Sequence, residues 1–138
     1  MNKDVIYLPE RDIYRSVENF ETPFFLYEEK RLRKNCQNFK NTFQKYFTDF
    51  QPLFAVKANP NPSILNIIMD EGFGMDCSSK SEAWICEKIG ATGMYTGNYT
   101  PAKELSFAKK LGFILNLDDI SMIPFLKEIG IPEPFLLE

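Results

Sequence analysis

Five short apolar runs, Leu53–Lys57, Phe73–Cys77, Met94–Thr96, Phe113–Leu117 and Pro134–Leu137, begin about 20 residues apart, the length of one strand, one helix and two short loops. The four segments between them carry helix punctuation. The first has Asn61 as N-cap and Pro62 at the first helical position, then Ile64, Leu65, Ile67 and Ile68, and stops at Gly72. The second opens with the capping box Ser79-Lys80-Ser81-Glu82 and ends at Gly90. Thr100-Pro101 opens the third, with Leu105, Ala108 and Leu111 as its stripe and Gly112 as its stop. The fourth begins near Asp119 to Ser121 and ends at Gly130, and its Pro124 falls in a first turn that has no backbone bond to lose. Repeated strand-helix units of this length mean parallel strands joined by right-handed crossovers. Two architectures fit: an open doubly wound sheet, or the early part of a (β/α)8 barrel.

Upstream of the repeat the pattern is weaker. Residues 1–21 form a polar arm with Tyr7, Tyr14 and Phe20 as apolar anchors. Thr22-Pro23 then punctuates, and Phe24-Phe25-Leu26-Tyr27 reads as a short strand. A helix is expected from about Glu28 to Tyr46, because Leu32, Cys36, Phe39, Phe43 and Tyr46 make one apolar stripe. Its basic residues, Lys30, Arg31, Arg33, Lys34 and Lys40, read as a solvated face.

Composition narrows the chemistry. A net charge of −3 and the lack of a basic-aromatic patch argue against affinity for nucleic acid or an anionic membrane. The polar start Met1-Asn2-Lys3-Asp4 leads into no apolar segment, so no secretory signal is expected. Cys36, Cys77 and Cys86 are odd in number and scattered, which suits reduced thiols in a cytoplasm. The chain has no histidine, which removes Ser-His and Cys-His nucleophile pairs and argues against a metal site of the ordinary zinc type.

Chemistry in parallel α/β folds gathers where strands end and helices begin. Those positions hold Lys57-Ala58-Asn59, Asp76-Cys77-Ser78-Ser79, Thr96-Gly97-Asn98 and Asn116-Leu117-Asp118. Strand alternation sets Leu53, Ala55 and Lys57 on one face, with Phe54 and Val56 on the other. Two readings fit Lys57: a lysine whose stem packs while its head reaches water, or an amine with a task in a pocket. Lys57 and Asp76 are expected at equivalent points of adjacent strands, within ion-pair range. Asp76 also reads as a turn or cap residue, and Glu82 is explained by its capping box alone. Thr96-Gly97-Asn98 reads as a plain turn, and the cysteines as small buried hydrophobes.

The run FAVKANPNPSIL resembles the cofactor-lysine strand of the fold-type III pyridoxal-phosphate-dependent decarboxylases, the group that includes diaminopimelate, ornithine and arginine decarboxylases. TPFFLYEEKRLRKN resembles that family's leading strand and helix, GFGMDCSSKSEAWICEKIGA its second unit, and MYTGNYTPAKELSFAKKLG and FILNLDD the next two. The resemblance implies the N-terminal part of a (β/α)8 TIM-like barrel: about four β/α units and the start of a fifth strand, preceded by an entering strand and helix. It implies an arm over residues 1–27, packed on a β domain, and a partial barrel over 28–138. Lys57 matches the lysine that carries pyridoxal 5'-phosphate as an internal aldimine. Asp76 and Glu82 match acidic residues on the cofactor side, and Asn98 is a further candidate for cofactor contact. The implied activity is decarboxylation of a small, diaminopimelate-like amino acid by a homodimer, in lysine or polyamine biosynthesis.

The same resemblance marks what the chain lacks. The family's stacking histidine, glycine-rich phosphate loop, acidic partner of the pyridine nitrogen and β domain all lie further along. A complete barrel takes about 250 residues, against 138 in this sequence, and Phe135-Leu136-Leu137 is an apolar strand with nothing after it to cover it. The expectation is a fragment unlike a competent decarboxylase by itself. The alternatives are a non-catalytic truncated paralogue that binds a full-length decarboxylase, and a barrel like that of alanine racemase.

Overall fold

The computed structural model describes residues 9–131, 133 and 135–137. Tyr7 and Pro134, named above as an anchor and a strand start, lie outside the described residues. Helices α1 (Glu10–Asn19) and α2 (Glu29–Phe43) lead into the repeat. It runs β1 (Leu53–Ala55), α3 (Pro62–Asp70), β2 (Gly74–Cys77), α4 (Lys80–Ile89), β3 (Gly93–Gly97), α5 (Ala102–Lys110), β4 (Ile114–Leu117), α6 (Ile123–Ile129) and β5 (Phe135–Leu137).

The five strands are parallel and lie in the order β1-β2-β3-β4-β5. A doubly wound sheet reverses its strand order at a switch point; here every crossover steps the same way. Right-handed crossovers that all step one way put all their helices on one face. Of the two architectures open from the repeat alone, the arc of a (β/α)8 barrel is therefore the one observed.

The two faces differ as that geometry requires. On the helix side, Val56, Met75, Cys77, Tyr95, Leu115 and Leu117 are essentially inaccessible, and they join Leu65 of α3, Cys86 of α4 and Leu105 of α5 in one core. Alternation turns Ala55, Asp76, Met94 and Ile114, which pair in one row across the strands, to the opposite, inner face. All four are only half-buried. Strands β2 and β3 approach so closely that a Cβ on Gly93 would collide with the Met75 backbone.

Local signals account for most helix ends. Asn61 Oδ1 accepts from the Ser63 backbone N–H, and Asp119 Oδ1 accepts from that of Ser121, where a 3-10 turn over Ile120–Met122 leads into α6. Gly72, at φ +83°, ends α3; a Cβ there would lie 2.8 Å from Lys40 Nζ, which instead donates to the Glu71 carbonyl. Lys109 does the same for α6, donating to the carbonyls of Ile129 and Gly130.

Three expectations are corrected. Residues 10–19 are helical, where no pattern was read. Phe24–Tyr27 carries no regular secondary structure and joins no sheet, so among the described residues no entering strand precedes α2, and Phe25 stays 89% exposed. The basic face of α2 is only partly solvated. Arg33 reaches Glu29, Asp70 and Glu71, and with Lys40 it pins α2 to the end of α3.

Candidate functional site

The expected chemistry lies at the C-terminal ends of the strands, and the structure displaces it by one turn at the first. Strand β1 stops at Ala55, and Val56–Ala58 winds into a 3-10 turn before the Asn59-Pro60-Asn61-Pro62 corner. Pro62 must begin α3 and Asn61 must cap it, so the chain has to turn within the residues just before them. Val56 keeps its place in the core, and Lys57 is carried out to an exposed position at the strand's C-terminal end. Among the described residues Lys57 forms no ion pair or hydrogen bond.

Asp76 sits opposite Ala55 in the β1–β2 register, two residues short of the level of Lys57. The expected pairing at equivalent points is therefore not what forms. What Asp76 presents is a buried Oδ1 that accepts no hydrogen bond among the described residues. Buried acceptors of this kind are uncommon, because water has been removed and nothing replaces it.

Glu82 is engaged. Its carboxylate accepts from the Ser78 backbone N–H at 2.8 Å and from the Ser79 hydroxyl at 3.1 Å, while Ser79 Oγ accepts from the Glu82 N–H. Ser79 thus caps α4 as expected, but the carboxylate's return bond goes to the Ser78 N–H and not to that of Ser79, and it holds the loop that leaves β2 just beyond Asp76. Asn98 is exposed in the turn after β3, beside Tyr99, whose φ of +50° swings the chain toward α5. A Cβ on Gly97 would collide with Thr100 Oγ1, so this turn depends on glycine.

Asp118, just past the end of β4, was named only as a strand-end residue and not as a site candidate, yet its Oδ1 is also buried without a hydrogen bond among the described residues. The signal that marks it is its place two residues after inner-face Asn116, a residue only 5% exposed. On the opposite side of the sheet Tyr95 donates to Glu104 Oε2 at 2.7 Å, and burial, reinforced by that carboxylate, pushes its phenol well up. No group of three or more metal-ligating side chains occurs among the described residues.

Residues 29–133 match the family model described as "Pyridoxal-dependent decarboxylase, pyridoxal binding domain". The chain belongs to this family. Relatives of this chain include Protein TabA of Pseudomonas amygdali pv. tabaci, 36% identical over 107 residues that cover 75% of this chain and 25% of that protein. A diaminopimelate decarboxylase of Methanothermobacter thermautotrophicus is 31% identical over 122 residues, 86% of this chain and 28% of that enzyme. The chain thus spans between a quarter and a third of the length of these relatives.

Solved structures agree on the fold. The lysine/ornithine decarboxylase of Vibrio vulnificus superposes with a TM-score of 0.81 at 20% identity, over 93% of this chain and 35% of that one. The lysine decarboxylase of Selenomonas ruminantium gives 0.77 at 22%, over 96% and 35%. Decarboxylase membership supplies the cofactor, pyridoxal phosphate, and the residues present suit it. The group carries an aldehyde, for which Lys57 offers an amine engaged by no other side chain, and Asp76 offers an acceptor that lacks a donor.

Proposed function

We propose that this chain is the cofactor-bearing part of a pyridoxal-phosphate-dependent amino-acid decarboxylase in which Lys57 holds the cofactor covalently through Nζ. The observation that carries the reading is the position of Lys57, an amine at the C-terminal end of β1 with no ion pair or hydrogen bond among the described residues, on the strand next to the one that presents Asp76. The bound cofactor supplies a sink for the electron pair left when a carboxyl group departs. Asp76 orients it by accepting a hydrogen bond. Glu82 acts at one remove, since its carboxylate fixes the Ser78-Ser79 loop beside Asp76. Asp118 adds a second acceptor across the inner face, and Asn98 is the weakest contact, being exposed in its turn.

The substrate of the whole protein would be a small diaminopimelate-like amino acid. The similarity to a diaminopimelate decarboxylase over 86% of this chain supports that class, and with it a role in lysine or polyamine biosynthesis. The working form would be a cytoplasmic homodimer. Residues 1–27 would form an arm against a β domain and 28–138 the first part of the barrel. The exposed Phe20, Phe25 and Tyr27 support that division, since such side chains gain most from a covering surface.

The test is direct. Incubation with pyridoxal phosphate followed by borohydride should fix the cofactor's mass on the peptide that contains Lys57, and Lys57→Ala should remove that adduct. Label spread evenly over the exposed lysines, and unchanged in Lys57→Ala, would overturn the assignment.

A further inference from the structure

On the helix side of the sheet two thiols meet. Cys77 is the last residue of β2 and Cys86 lies on α4; both are fully buried, and their Sγ atoms are 3.4 Å apart. A disulfide needs these sulfurs only about 1.4 Å closer. Cys36, half-buried on α2, is the remaining cysteine. Either sulfur can donate in the hydrogen bond between them, and that bond, then burial, pushes the Cys77 thiol up. Either can act as the nucleophile, with the other as the thiol that resolves.

We propose that Cys77 and Cys86 form a modification site: a dithiol that hydrogen peroxide, or another peroxide of similar size, closes to an intramolecular disulfide. Neither sulfur is exposed, so a small oxidant is favoured over a bulky disulfide such as oxidised glutathione. One of the two sulfurs attacks one peroxide oxygen, the O–O bond breaks, and the departing hydroxide takes up the thiol proton as water. This leaves a sulfenic acid on that cysteine. The other sulfur then displaces hydroxide from it, and that hydroxide leaves with the second thiol's proton as a second water. Two thiols lose two electrons in all, and one hydrogen peroxide becomes two waters.

Closure would tie the end of β2, one residue past Asp76, to the middle of α4. The ring would enclose the Ser78-Ser79 loop and the Glu82 cap. The site stands on the sulfur geometry alone and does not depend on the cofactor reading.

The experiment treats the full chain with hydrogen peroxide, then unfolds and alkylates it for intact-mass and peptide analysis. The expected product is lighter by two hydrogen atoms, takes alkylation only at Cys36, and yields a crosslinked peptide joining Cys77 to Cys86 that dithiothreitol separates. Cys36→Ser should close equally well, and Cys86→Ser should not close. Alkylation at all three cysteines after treatment, or crosslinks that run through Cys36, would overturn the proposal. If Cys86→Ser fails to fold, the Cys36→Ser product decides alone: no crosslink in that variant ends the idea.

Discussion

Asp76 holds a buried carboxylate oxygen that accepts nothing, an arrangement that costs about 1–3 kcal/mol when no partner is supplied. Stability and cofactor retention should therefore respond in opposite directions to one change. Asp76→Asn is expected to leave the urea midpoint unchanged or raise stability by up to about 1 kcal/mol, while weakening retention of pyridoxal phosphate in equilibrium dialysis. A loss of stability in the asparagine variant would instead mark Asp76 as a structural residue. Lys57→Ala has a simpler expectation: an exposed side chain with no partner can be removed with an effect within about 0.5 kcal/mol, measured by thermal unfolding. That outcome makes the variant a sound control for the borohydride experiment.

At the scale of elements, the junction of α2 with α3 carries the clearest pH dependence. Hydrogen bonds from Gln37 and then Arg33 hold the Glu71 carboxyl below its ordinary value of 4.5. The unfolded chain, lacking those donors, takes up its proton first as pH falls, so this junction stabilises fully above 4.5 and progressively less below it. Asp119, lowered by its bonds to Ser121, acts in the same direction. The urea midpoint should fall on acidification below pH 4.5, and Glu71→Gln should flatten that fall; an identical slope in the variant would place the acid sensitivity elsewhere. Close backbone approach gives a second prediction. Gly93→Ala would press a methyl group into the Met75 backbone, at a cost of about 3 kcal/mol or more, by chemical denaturation.

These elements also show what the sequence could and could not reveal. The strand-helix rhythm, the caps Asn61 and Ser79 and the glycine stops are local signals, and all appear where they were read. Helix α1 was missed because Ile13, Tyr14 and Val17 make a sparse stripe in a polar arm, and it buries none of them. Phe24–Tyr27 has strand composition, but a strand needs an edge, and composition does not provide one. The relative depth of Lys57 and Asp76 depends on the turn that cuts β1 short and on the β1–β2 register, and the register is not local. The amine and the carboxylate were legible as residues; the step between them was not.

Across the molecule, stability is unevenly spread. Strand β3 is paired on both sides and backed by the shared core, whereas α1 buries no residue. Deleting residues 1–20 should accordingly change the chain's stability by less than about 0.5 kcal/mol, checked by thermal unfolding of the shortened chain. A larger loss would mean that the arm contributes to the barrel arc itself. The unreversed strand order has a consequence for assembly. Each unit is one equivalent step round a ring, so β1 and β5, the edge strands among the described residues, have the polarity that further parallel strands would extend. Such an arc is a template for its own completion. Supplied in trans with the later strands of a related decarboxylase, it is suited to reconstitution as a split protein, its two halves zipping along two seams with the lysine strand at one of them.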